Sequence, residues 1–357
     1  MSDGGPELHS GASDDFRVGR LQYDDMSESM AGSTAKGIHH ITAVAGDPQE
    51  NINFYQSVLG QRLIKTTVNF DDPSTWHFYY GDAVGSPGTI LTFFPWRNVR
   101  PGRVGTGESI VVSYAIPAGS AAYWKKRLDA FGFPVEDAHE FGEHRIQLRD
   151  PHGMRIDLVE TSDAIPAYHW AEGPVPAEYA LAGFHSTTLL LDDVEPTLTI
   201  LRELLGYSNT TTDGNTVRVR SSSDWAGSID LVGAAGSGRG AFGSGSIHHI
   251  AFRADNDEAQ RKLSSTAAQM GLGVTEVKDR QYFRSVYFRE PGGVLFEIAT
   301  DGPGFLTDED RLYLGQSLKL PPWLEPRRKD IADRLPAIDR SVPKTPPSGG
   351  ADETASQ

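Results

Sequence analysis

One phrase occurs twice in this chain. Gly37-Ile38-His39-His40-Ile41-Thr42-Ala43-Val44 returns as Ser246-Ile247-His248-His249-Ile250-Ala251-Phe252. Each copy alternates like a half-buried strand, and each sets an imidazole where an apolar side chain is the rule. A third alternating run, Gly292-Gly293-Val294-Leu295-Phe296-Glu297-Ile298, puts a carboxylate in mid-strand. A chain that repeats such strands at long spacing is built from copies of one supersecondary unit.

Four such units follow one another at a period of about 50 to 70 residues. The first runs from Ile38 through Phe54, Val58 and Leu59, which share a helical face, to Gly60, a helix stop, and ends on Thr89-Ile90-Leu91-Thr92-Phe93-Phe94. The second opens at Ser109-Ile110-Val111-Val112, carries Tyr123, Trp124 and Leu128 on a helix, and ends at Ile156-Asp157-Leu158. The third opens at Gly183-Phe184-His185 and ends at Ile229-Asp230-Leu231; the fourth spans Ile247 to Ile298. The turns Arg149-Asp150-Pro151-His152-Gly153 and Arg289-Glu290-Pro291-Gly292-Gly293 match, each setting a tight turn before a last strand. The expected class is α+β: four βαβββ modules in two pseudo-twofold domains, residues 36–165 with modules 1 and 2 and residues 180–305 with modules 3 and 4. Residues 306–336 form a C-terminal extension. Residues 1–35 and 337–357, rich in Gly, Ser, Asp and Pro, read as disordered tails. Gly233 to Gly245 reads as a flexible connector. It lacks the lysine pattern and the strand–helix context of a phosphate loop.

Composition narrows the chemistry. With no cysteine, thiolate metal sites, disulfides and cysteine nucleophiles are excluded, so any metal takes nitrogen and oxygen donors. A net charge of −15 speaks against nucleic acid or an anionic membrane as partner. No apolar run approaches 18 residues, and the first residues lack the basic and apolar regions of a signal peptide. A cytoplasmic location is the expectation.

Neighbours in a strand point to opposite faces, so one histidine of each pair faces a shared site. His40 and His249, in phase with Thr42 and Ala251, are the ones expected there. Glu297 lies between Phe296 and Ile298, where an unpaired carboxylate would be costly and a divalent ion removes the cost. Two histidines and one carboxylate from separate strands bind a metal on one face and leave the other open, the facial arrangement of non-haem Fe(II) oxygenases. Thr92 stands in module 1 where Glu297 stands in module 4, so a fourth protein ligand is missing. That counts against a glyoxalase-like isomerase or lyase; the three-ligand set counts against a non-enzymatic small-molecule binder. His185, Asp157 and Asp230 are in position for a second cluster, read as a hydrogen-bonded remnant of duplication.

These phrases, together with Phe54-Tyr55 through Leu59-Gly60-Gln61-Arg62 and Arg280-Gln281-Tyr282-Phe283-Arg284-Ser285-Val286-Tyr287, carry a resemblance. Over about residues 37 to 320 the chain resembles the vicinal oxygen chelate superfamily with its glyoxalase-type modules. Within it, the chain is similar to the extradiol-type dioxygenases that cleave hydroquinone rings. The resemblance implies Fe(II), with Mn(II) as the alternative, on His40, His249 and Glu297. It implies catalytic or substrate-contacting roles for His39, Thr42, His248, Arg280 and Tyr287, and a small aromatic substrate and O₂ as partners. A homo-oligomer is left open.

Overall fold

The computed structural model describes residues 34–162, 168–221 and 227–341. Of the expected tails at 1–35 and 337–357, residues 1–33 and 342–357 lie outside the described residues. Module 1 comprises β1 (Ile38–Ala45), helix α1 (Pro48–Ile52) continued by a π-helical segment (Asn53–Val58), β2 (Arg62–Val68), β3 (Trp76–Gly81) and β4 (Ile90–Pro95). Module 2 has β5 (Glu108–Pro117), α2 (Ala121–Ala130), β6 (Glu136–Glu140), β7 (Glu143–Arg149) and β8 (Arg155–Thr161). Module 3 has β9 (Gly183–Leu191), α3 (Glu195–Thr199) with its own π-helical continuation (Ile200–Leu204), β10 (Asn209–Asp213), β11 (Thr216–Arg220) and β12 (Ser228–Gly233). Module 4 has β13 (Ile247–Ala254), α4 (Asp257–Gln269), β14 (Lys278–Asp279), β15 (Arg284–Arg289) and β16 (Leu295–Thr300). Local chemistry sets the helix starts: Asp47 accepts the Gln49 and Glu50 amides ahead of Pro48, and the Asn256 side chain caps α4 in the same way.

The modules join by two different rules. Sheet pairing crosses the halves of the chain: one curled sheet has the order β14-β15-β16-β13-β1-β4-β3-β2, the other β10-β11-β12-β9-β5-β8-β7-β6. Modules 1 and 4 thus share one sheet and modules 2 and 3 the other. The helix layer instead ties neighbours in sequence. Phe54 packs on Phe133 with ring centroids 4.8 Å apart, Tyr55 donates to Asp150 at 3.0 Å, and Arg127 donates to the Val58 carbonyl at 2.8 Å, joining modules 1 and 2. Thr197 donates to Glu290 at 2.7 Å, joining modules 3 and 4. The two matching turns explain themselves here. Asp150 and Glu290 each accept two amides of their own turn and a hydroxyl from the preceding module.

The Gly-rich segment is pinned, contrary to its reading as a flexible connector. It runs against residues 100–107, with Arg103 and Ala241 exchanging hydrogen bonds of 2.8 and 2.7 Å and bridges at Pro101–Ser244 and Thr106–Arg239. The glycines permit the approach: a Cβ on Gly105 would lie 2.3 Å from the Gly240 nitrogen. Residues 337–341 are also packed, with Ile338 against the core and Asp339 paired to Gln49. Among the described residues, no helix is long and apolar enough to cross a membrane.

Candidate metal centre

The site lies on the sheet shared by modules 1 and 4. β1 and β13 run antiparallel with two β-bulges. The register passes from Ile38↔Phe252 to His40↔Ala251, which makes His39 the extra residue. It passes from Thr42↔His249 to Ala43↔Ile247, which makes His248 the extra residue. Each bulge breaks the strict alternation on which the one-histidine-per-pair expectation rests. Both rings of each pair turn toward each other instead: His39 Nδ1 is 3.0 Å from His40 Nδ1, and His248 Nδ1 is 2.7 Å from His249 Nδ1.

Glu297 reaches the same point from β16, which runs parallel to β13 with Ala251 opposite Glu297. His249 Nε2 is 2.9 Å from Glu297 Oε2, His40 Nε2 is 3.4 Å from the same oxygen, and the two Nε2 atoms are 3.4 Å apart. Among the described residues this is the one group of three such donors close enough to hold a metal ion. Adjacent ligands about 2.1 Å from an octahedral ion lie roughly 3 Å apart, so the spacing suits one ion. Glu297 Oε2 is buried and lacks a hydrogen bond of proper geometry, which fits an atom aimed at a cation. The other oxygen, Oε1, accepts a short hydrogen bond from Ser285.

A metal on the two Nε2 atoms would leave the ring protons of His40 and His249 on Nδ1, donating to Nδ1 of His39 and His248. Burial, and then the neighbouring His40, holds His39 well below the usual imidazole range; burial and His249 hold His248 down at about 3. Burial also lowers His249, in spite of Glu297. Burial alone would raise Glu297, but His40 and His249 outweigh it and hold the carboxyl well below its ordinary value. Neutral imidazoles and an ionised carboxylate are the forms a metal requires.

Beside the cluster opens a cavity of about 170 Å³, lined by His40, Thr42, His248, His249, Arg280 and Tyr287 among the sequence-predicted residues. A cavity of about 150 Å³ is enough for a benzene ring. Arg280 Nε donates to the Tyr287 hydroxyl at 3.2 Å, and its Nη1 pairs with Asp71 at 3.1 Å. His39 stands behind His40, against Phe283, and does not line the cavity. Sequence reasoning passed over His77, Tyr79, Phe94, Trp96 and Phe283 on the cavity wall, and Ser285 behind Glu297. Tyr79 had a signal: it faces Thr92 as Tyr287 faces Glu297, so the repeat superposes the two tyrosines.

The second sheet repeats the framework with other side chains. Its register sets Val111 and Ser186 where His40 and His249 stand, Asp157 in place of Thr92 and Asp230 in place of Glu297; His185 is a bulge residue there. The charge opposite these carboxylates is guanidinium. Arg218 grips Asp230 with bonds of 2.6 and 2.8 Å and Glu143 at 2.7 Å, while Arg145 reaches Asp157 at 3.2 Å. His185 pairs with Glu143 at 3.1 Å.

Comparison with known proteins agrees with this architecture. The description "Glyoxalase/Bleomycin resistance protein/Dioxygenase superfamily" matches residues 37–158 and 160–298. The chain belongs to this superfamily. Within the glyoxalase superfamily it is 46% identical over 299 residues to MhqO of Bacillus subtilis (strain 168), proposed to be a ring-cleaving dioxygenase, covering 84% of this chain and 95% of that one. It is 34% identical over 300 residues to the chlorohydroquinone/hydroquinone 1,2-dioxygenase of Sphingobium indicum, covering 81% and 92%. A crystal structure of a proposed dioxygenase from Bacillus subtilis superposes with a TM-score of 0.84 at 44% identity, covering 87% of this chain and all of that one.

Proposed function

We propose that this protein is an Fe(II)-dependent ring-cleaving dioxygenase, with Mn(II) the alternative ion, that opens a hydroquinone or catechol-type phenol with O₂ to a ring-opened carbonyl acid. The observation that carries the reading is the convergence of His40, His249 and Glu297 beside a ring-sized cavity, with Thr92 where a fourth ligand would stand. That donor set leaves vacant positions, as oxygen-using iron sites need. The relative from Sphingobium indicum, named for action on chlorohydroquinone and hydroquinone, supports the substrate class. A cytoplasmic setting suits a cysteine-free chain.

An Fe(II) ion held by His40, His249 and Glu297 would supply a Lewis acid and an electron donor. The chain's own residues do the rest. Phe94, Trp96 and Phe283 offer apolar walls to an aromatic ring and keep water from it. The Arg280 cation, fixed by Asp71 and lying 5.4 Å from the Tyr287 ring, favours an ionised phenol in the cavity. Tyr287 accepts from Arg280, so its own O–H is available to donate to a bound oxygen. His248, with Nδ1 accepting from His249, carries its proton on Nε2 and serves as a hydrogen-bond donor. His39 acts on His40 alone, locking its tautomer.

The test is anaerobic loading with Fe(II), then oxygen uptake against hydroquinones and catechols. Uptake that is matched by ring opening and is absent in Glu297→Gln supports the reading. Iron loading without uptake for any diol would overturn it.

A further inference from the structure

Four side chains on the module 1 side of the cavity form one hydrogen-bonded chain. Thr42 and Thr92 hydroxyls are 2.8 Å apart, Thr92 Oγ1 is 3.0 Å from His77 Nε2, and His77 Nδ1 is 3.0 Å from the Tyr79 hydroxyl. The order follows from the sheet: Thr42, Thr92 and Tyr79 stand opposite one another in β1, β4 and β3. Both ends, Thr42 and Tyr79, line the cavity. The His77 ring is clamped between Tyr79 and Phe94, at 4.2 and 4.3 Å, so it cannot turn away.

A neutral imidazole donates from one nitrogen and accepts at the other. Each threonine and tyrosine hydroxyl has one proton. The chain therefore has two self-consistent arrangements. In the first, Tyr79 donates to His77, His77 to Thr92 and Thr92 to Thr42; Thr42 then donates into the cavity and Tyr79 offers a lone pair. In the second every bond reverses, so Tyr79 donates and Thr42 accepts. The two ends are never both donors. Through His77, the ligand oxygen at one end dictates what the other end presents.

We propose that His77 is a positioning residue that couples Thr42 and Tyr79 into a donor–acceptor pair suited to a singly ionised diol. Thr42 donates to the ionised oxygen held nearer the His40–His249–Glu297 cluster, and Tyr79 accepts from the hydroxyl that keeps its proton. The proposal rests on the diol reading of the same cavity. It goes beyond it by assigning a role to His77, which stands on the cavity wall but has both ring nitrogens engaged by Thr92 and Tyr79.

The probes are hydroquinone and its monomethyl ether, which cannot donate from the capped oxygen. Binding of each is measured without oxygen on the iron-loaded protein. With the ether, Tyr79 must donate or go unpaired; if it donates, Thr42 turns its lone pair on the ionised oxygen. The wild-type protein should prefer hydroquinone by about tenfold or more, the scale of a lost hydrogen bond plus a reversed one. In His77→Phe the ends are uncoupled and the preference should shrink to about threefold or less. Tyr79→Phe, which deletes one hydroxyl from an otherwise unchanged ring, should do the same and guards against a misfolded His77 variant. If both variants keep the full wild-type preference, or the wild type shows none, the coupling is refuted while the diol reading stands. Failure of the wild type to bind either compound would refute both.

Discussion

At the residue scale, the site depends on which side chain stands at one register position repeated four times. That position holds Thr92, Asp157, Asp230 and Glu297, and Glu297 alone meets two histidines. Introducing a second carboxylate is the direct trial. Thr92→Glu should retain iron as well as the wild type but lower oxygen uptake at least about tenfold, because the new ligand takes a position the reaction needs. Metal analysis beside uptake rates checks both halves. The three candidate ligands stood out in the sequence because imidazoles and a carboxylate interrupt apolar alternation at matching repeat positions. His77 was not, since a histidine in Trp76-His77-Phe78-Tyr79 shows no break in pattern until Thr92 and Tyr79 are known to face each other.

At the element scale, β-bulges do what simple alternation forbids. They bring His39 behind His40 and His248 beside His249 at the cavity, so that each candidate ligand's Nδ1 is engaged and its Nε2 faces the cluster. A bulge is a pairing event between two strands far apart in sequence, so neither His-His phrase announces it. The glycine-rich segment misled for a related reason: composition indicates freedom, whereas here the glycines allow two backbones to touch. Gly105→Ala forces its new Cβ onto the backbone of residues 238–240 and should destabilise the fold by about 1–3 kcal/mol, read as a lower urea midpoint. A loose connector would tolerate the methyl group.

At the scale of the whole molecule, duplication supplied two equivalent sheets, one with a donor cluster open to an ion and one closed by arginines. The module count and their order were readable from the repeat. That module 1 meets module 4 was implied by His40 converging with His249 and Glu297; that the two share one sheet was not, because it is decided by which strand edges meet. The arginine-filled sheet predicts its own behaviour. Arg218→Met leaves Asp230 and Glu143 without their main partner in a buried setting and should cost about 3–5 kcal/mol, whereas adding Asp230→Leu should recover a large part of it. Denaturant unfolding of both variants checks this. Acid should weaken the metal-free protein as well. His39, His77 and His248 are held well below the free imidazole value, chiefly by burial, so the unfolded chain binds more protons than the folded one. Their contribution is present above the unfolded value of about 6.5 and is lost as pH falls toward the folded values, by up to about 1.4 kcal/mol per group for each pH unit. Thermal unfolding between neutral and mildly acidic pH reads the slope. The central claim is that one open-sided iron centre brings a diol and dioxygen together, and isotope labelling tests it most directly. Iron-loaded protein turned over on hydroquinone under heavy-isotope dioxygen should yield a ring-opened product carrying both labelled atoms; quinone, or a product without label, would contradict the account.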